Sequence, residues 1–156
     1  MTPFLTYLIV FGLSAVPVIE LKGSIPVGIS LGLPAWECFL IAIFGSMILS
    51  PLIIMFTRQV LAWLKNSKVK MFARFGNWQE NRLARKGGKL EKYRLWFLFF
   101  LVAIPLPTTG VWTGSMLAGL FDIRMKTALP IIFIGNIVAG LLVWLIWGFA
   151  AQPLWA

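Results

Sequence analysis

The sequence predicts an all-α integral membrane fold, built as an inverted repeat in which each half joins a re-entrant hairpin to a transmembrane helix. Three observations lead there. Apolar side chains make up 60% of the 156 residues and charged ones only 12%, whereas a soluble domain carries about 25% charge. Uncharged runs cover residues 3–19, 38–57, 95–121 and 127–156, and about 20 apolar residues suffice to cross the hydrocarbon core. The chain also echoes itself: GSIPVG at 23–28 and GSMLAG at 114–119 share Gly-Ser-x-x-x-Gly at an offset of 91 residues, FGSMI at 44–48 and IGNIV at 134–138 follow at 90, and AVP at 15–17 matches AIP at 103–105. The matches keep the same order in both halves, as a duplication requires.

Each half of this single domain, 1–156, then divides into four parts. In the first half, 3–63, these are an apolar arm at 3–19, a Pro/Gly-rich break at 20–24, a short second arm at 25–34 and a long span at 36–63. In the second half, 95–150, the same roles fall to 95–104, 105–113, 114–121 and 126–150. Ten residues such as 95–104 rise only about 15 Å as a helix, half the hydrocarbon thickness. That arm cannot cross alone, and a hairpin that enters and leaves on one face accommodates it. Non-helical backbone at membrane depth survives where protein or a water-filled cavity satisfies it. The competing reading makes 3–19 a plain span and ELKGS an interfacial loop. One hairpin plus one crossing reverses the side once, so the two halves come out oppositely oriented. No basic segment precedes the first apolar run and no small-residue cleavage site follows it, so it reads as part of the fold rather than a removable signal.

Between the halves lies a basic loop. Residues 58–94 hold eleven of the fourteen basic residues and two of the five acids, and the rest of the chain sums to zero charge. The uncharged runs on either side make the protein multi-pass, and the positive-inside rule keeps such a loop cytoplasmic. Leu61, Leu64, Phe72 and Phe75 are interleaved at helical spacing, which suits a helix on anionic lipid, with Lys65, Lys68 and Arg74 among the headgroups, better than nucleic-acid binding.

The sequence offers no enzyme chemistry. Histidine is missing, Cys38 is the single cysteine, and the acids are Glu20, Glu37, Glu80, Glu91 and Asp122. None of these forms a paired-carboxylate, metal-ligand or phosphate-cradling pattern, so neither a metal nor a cofactor is expected.

The stretch VPVIELKGSIPVGISLGLP at 16–34, taken together with AIPLPTTGVWTGSMLAGL at 103–120, resembles the small multidrug export protein family and, more distantly, the DedA-like membrane proteins with paired re-entrant hairpins. The resemblance implies drug export from a prokaryotic plasma membrane. Through the DedA-like relatives it also implies proton-coupled translocation of phosphate-bearing lipids. Under it, Glu20 matches the acidic position of the first hairpin and Pro105 the proline of the second. The DedA-like pattern also places arginines close to that proline, whereas here the nearest upstream arginine is Arg94. A forked phosphate donor is therefore missing, and Lys22 would supply a point charge in its place.

The expected substrate and proton site gathers Glu20, Lys22, Ser24 and Pro26 from the first hairpin with Pro105, Thr108, Thr109, Trp112, Thr113 and Ser115 from the second. In an extended break Glu20 and Lys22 share a face, and an ionisable residue inside a membrane is a functional candidate because idle charge there is costly. Each hydroxyl equally suits a bond to its own helix backbone, and Trp112 equally suits an interfacial aromatic belt. Asn136 is expected to hydrogen-bond across helices, and Gly28 and Gly32 to allow close packing. Asp122, Arg124 and Lys126 mark an interface, and Glu37 offsets a helix dipole. The expected function is proton-coupled transport of a small or amphipathic substrate by a homo-oligomer, most simply a dimer. A lipid flippase and a non-transporting membrane-structuring protein are the alternatives.

Overall fold

The computed structural model describes residues 3–65, 74, 89–105 and 109–150. Regular structure among them is helical throughout: α1 (Pro3–Ala15), α2 (Glu20–Ser30), α3 (Ala35–Met47), α4 (Ser50–Lys65), α5 (Lys89–Ala103), α6 (Val111–Leu120) and α7 (Met125–Ala150). Ala35–Leu64 and Met125–Trp147 are long and apolar enough to cross a membrane, at 30 and 23 residues. The expectation of an interfacial helix bearing Lys68, Phe72 and Phe75 falls outside the described residues.

Proline placement explains the helix ends. A proline restricts the residue before it and supplies no amide donor, and α1 and α5 stop at Ala15 and Ala103, just before the Val16-Pro17 and Ile104-Pro105 pairs. The first break is thus the turn Val16–Ile19, four residues earlier than the expected 20–24, and Gly23, Ser24 and Pro26 lie inside α2. Pro26 withholds only the bond that its amide would have given the Lys22 carbonyl. In the second half α6 begins at Val111, so Trp112 and Thr113, expected within the break 105–113, are helical. The expected span 36–63 is interrupted by a turn at residues 48–49, and Pro51 falls in the first turn of α4, where a missing amide costs little.

Neither arm of the first hairpin is long: α1 has 13 residues and α2 has 11, about 20 and 17 Å of helix. They lie side by side, and a methyl group on Gly28 would sit 2.8 Å from Val10 Cγ2 and 2.5 Å from Cys38 Sγ. Small residues let backbones approach in this way. Contacts also fix the directions. Tyr7 donates to Glu37 at 2.5 Å and Ser14 meets Gly45, so α1 and α3 run parallel. Ser50 meets Ser115 at 2.7 Å and Thr57 meets Gly119, so α4 and α6 also run parallel. Asn136 meets Ser46 while Gly140 meets Phe39, so α3 and α7 are antiparallel.

The halves match in detail at an offset of 90. α2 ends at Leu31 with φ −84° and ψ 4°, and α6 ends at Phe121 with φ −82° and ψ 1°. The next residues, Gly32 and Asp122, both turn left-handed, at φ 88° and 52°. Each end is closed by the same bonds: Leu33 N to Gly28 O at 3.1 Å, and Ile123 N to Ala118 O at 3.0 Å. This is the double closure of a Schellman-type cap. Gly32 accordingly serves the turn and has open space around it, while Gly28 provides the close packing. The Gly-Ser match at 91 is one residue out of this structural register. Gly45 packs against the Phe11 carbonyl and Gly135 against the Phe99 carbonyl, at 2.8 and 3.1 Å from an added Cβ, so each span meets its first arm in the same manner.

Candidate functional site

Glu20 opens α2 and is only 6% exposed. Its φ of 46° places a long side chain in the left-handed region, a conformation that costs on the order of 1–3 kcal/mol and persists only where surroundings enforce it. Those surroundings belong to the other half of the chain. The Trp112 amide donates to Glu20 Oε1 at 3.1 Å, and Gly110, the residue before α6, leaves so little room that an added methyl would lie 1.7 Å from Oε2. The carboxylate therefore caps the N-terminus of α6, where unpaired amides and the positive end of the helix dipole favour an anion. Because the φ of Gly110 is 166°, an extended value open to any residue, the position requires the absence of a Cβ rather than unusual backbone freedom.

Trp112 fastens the same junction a second time. Its indole Nε1 donates to the carbonyl of Ala15, the last residue of α1, at 3.0 Å. That carbonyl is one of the acceptors a helix end leaves over. The ring is thus tied to the first hairpin.

The remaining expected residues divide. Lys22 is half-buried two positions further along α2; the left-handed φ of Glu20 breaks regular helical spacing between them, and the two charges act on each other. Ser24 donates to the Leu21 carbonyl at 3.3 Å and Thr109 to the Ile104 carbonyl at 3.0 Å, both local backbone bonds. Ser115 is fully buried and pairs with Ser50 of α4, away from Glu20. Pro26, Pro105 and Thr113 are half-buried, and Thr108 lies outside the described residues. Asn136 donates to Ser46 at 2.8 Å. These two residues stand 90 positions apart, the offset of the sequence matches FGSMI and IGNIV.

Three participants were not singled out from the sequence: Gly110, Ser50 and Arg58. Arg58 donates to the Ile123 carbonyl and lies 3.6 Å from Asp122, at the far end of α6. Residues of the first half therefore hold α6 at both ends, a carboxylate at its N-terminus and a guanidinium just past its C-terminus, each with the sign that suits the dipole. Beside α6 a groove of about 820 Å³ opens against α4. Thr57 and Gln59 are its polar lining residues, Trp112 forms one end, and the other members are apolar. The groove is greasy, and the carboxylate of Glu20 is tightly packed against Gly110. No group of three or more metal-binding side chains occurs among the described residues.

Comparison with known proteins gives a match over most of this framework. A family model described as "Putative small multi-drug export protein" matches residues 20–142, from the site carboxylate into the last helix. No curated protein and no solved structure matches the chain.

Proposed function

The chain belongs to the small multi-drug export protein family and is a helical membrane protein, and from this premise we propose that it is a proton-coupled exporter of small amphipathic molecules. Its two halves form an inverted repeat, each with one re-entrant hairpin, and the hairpin tips meet within the membrane at Glu20 and the start of α6. One observation carries the reading: a buried carboxylate from one broken segment caps the helix that follows the other. Paired broken segments with a helix N-terminus aimed at the site are the usual binding architecture of inverted-repeat transporters. The antiparallel α3 and α7 and the repeated helix caps support the same arrangement.

The coupling follows from the chemistry of the cap. Ionised Glu20 holds the α6 amides through charge-assisted bonds, and protonation removes the charge that the helix end attracts. Proton binding therefore loosens the tie between the halves, and proton loss restores it. The basic loop would rest on anionic lipid at the cytoplasmic face, and a homodimer would enclose the site further. A lipid flippase fits less well, because the sequence around Glu20 and Pro105 carries no arginine to receive a phosphate.

Reconstitution tests the reading. Purified protein in liposomes, given an inward-acid or inward-alkaline pH step, is expected to move lipophilic dyes in a direction set by the gradient and to move protons when dye is added. Liposomes that stay silent to a panel of cationic, neutral and anionic dyes, with protein verified as inserted, would leave a membrane-structuring role instead.

A further inference from the structure

A second hollow, of about 340 Å³, lies between α5 and α7 and carries a charged residue in its wall: Lys92 lines it together with Leu95, Trp96, Phe99, Ile131 and Ile134. We propose that this hollow is a fixed site for one anionic phospholipid of the leaflet on the basic-loop side, with an acyl chain lying in the hollow and the phosphate held at Lys92. The inference needs only that α7 crosses the membrane, and it stands apart from the export reading.

The packing of α5 on α7 sets the level of the site. A methyl group on Gly135 would lie 3.0 Å from Val102 Cβ and 3.1 Å from the Phe99 carbonyl. The hollow is lined by residues that precede Val102 on α5 and Gly135 on α7, so the two helices run parallel. Ten residues back from Val102 and from Gly135 stand Lys92 and Met125, about 15 Å along each helix, which puts Lys92 level with the start of α7. Arg94 agrees with this level: its guanidinium carbon lies 5.7 Å from the centroid of the Phe121 ring, in the turn that leads to α7.

That level belongs to the headgroups. Lys92 falls within the basic stretch 58–94, and Tyr93 and Trp96, exposed on the same helix, are of the type that settles at the membrane–water boundary. Lys92 is exposed while its stem lines the hollow, the posture that keeps an ammonium in the polar layer above an apolar wall. Every other lining residue is apolar, and Trp96 is held in place by stacking on Phe100 at 5.9 Å and an edge contact with Phe99 at 6.2 Å. The volume is near the lower end of the about 300–1,000 Å³ typical of small-molecule sites, which suits one chain rather than a whole amphiphile.

Charge selects an anionic headgroup. Arg124 and Lys126 are exposed at the start of α7, and Lys126 stands on the stripe of Ile134 at steps of four residues. The positive end of the α7 dipole adds to them. Of the acids in these segments, Asp122 lies 3.6 Å from Arg58 Nε, and Glu91 is outnumbered on α5 by Lys89, Lys92 and Arg94. Basic hollows between membrane helices on the loop side are a recurrent setting for anionic lipid headgroups.

Native mass spectrometry of the full-length protein tests the site, with the protein stripped of lipid in detergent and then given equal amounts of phosphatidylglycerol and phosphatidylcholine with the same chains. The first lipid retained is expected to be phosphatidylglycerol, preferred by at least about tenfold. Excess inorganic phosphate should not displace it, because the chain is part of the binding. Lys92→Gln combined with Lys126→Gln should reduce the preference to about threefold or less, and Lys92→Arg should keep it. Ile134→Trp fills the hollow at a position 53% exposed and should cut retention by at least about tenfold, since a filled pocket excludes its ligand. Leu52→Trp, in the groove between α4 and α6, should behave as wild type, and so should Lys68→Gln combined with Arg74→Gln in the loop. Equal retention of the two lipids, displacement by phosphate, or wild-type behaviour of both the charge variant and Ile134→Trp would overturn the proposal. Loss of the preference in the loop variant alone would place the anionic lipid on the loop and overturn it as well.

Discussion

Glu20→Gln is expected to lower gradient-driven transport by about ten- to hundredfold, matching the 1.5–3 kcal/mol that a hydrogen bond to a charged group contributes. Glutamine keeps an oxygen that can accept from the Trp112 amide, so the hairpin contact persists and the protein should insert and purify normally. It carries no charge to the α6 N-terminus and no proton to exchange. The residual rate should therefore be independent of pH, whereas the wild-type rate should vary with it. Substrate exchange without a gradient would be affected less, because it needs no net proton movement. The measurement is dye flux in liposomes over a range of pH at matched protein content. A wild-type rate with wild-type pH dependence would leave Glu20 a structural cap and remove the coupling mechanism.

Gly110→Ala is expected to be nearly as damaging, although it adds one methyl group and touches no charge. The new carbon would lie 1.7 Å from Glu20 Oε2 and 2.7 Å from its carboxyl carbon, far inside van der Waals contact. Either the carboxylate leaves the α6 amides or α6 withdraws, and the charge-assisted bond of about 1.5–3 kcal/mol is lost in both cases. Transport should fall by about tenfold or more on that energy. Gly12→Ala is the control, because nothing lies within 4 Å of its added methyl and alanine favours a helix by about 1 kcal/mol over glycine. It should transport normally and melt no lower than wild type. Equal activity in Gly110→Ala and Gly12→Ala would show that the carboxylate needs no such close seat.

How far the sequence reveals this site depends on what kind of atom does the work. Glu20 stands out as a charge in an apolar stretch, and a side chain of that type is visible in any reading. Its partner is the backbone amide of Trp112, and every residue but proline carries such a donor, so no residue type points to it. A glycine whose role is to have no Cβ is equally quiet. The first break lies earlier than its glycine and proline suggest for a related reason. Glycine and proline at 23 and 26 suggest an interruption, yet α2 runs through both, since Pro26 forfeits one bond and packing of Leu21, Ser24, Ile25 and Gly28 holds the helix. The matched prolines at 17 and 105 do the terminating. The repeated spacing of 90 was legible where it involved small or polar residues, such as Ser46 with Asn136 and Gly45 with Gly135. The groove was not, because its walls are ordinary apolar stripes whose meeting depends on how α6 leans on α4.

Inverted halves require both hairpins to turn back inside the membrane from opposite faces, and labelling of single cysteines in intact cells and inverted vesicles tests this most directly. In a Cys38→Ala background, cysteines at Phe4 and Leu31 mark the two ends of the first hairpin, and cysteines at Tyr93 and Asp122 mark those of the second, all at exposed positions. The prediction is that Phe4 and Leu31 react from the face opposite the basic loop, and Tyr93 and Asp122 from the face that carries it. If the two ends of either hairpin react from opposite faces, that segment crosses the membrane, the halves are not inverted copies, and the meeting of broken segments at Glu20 loses its basis.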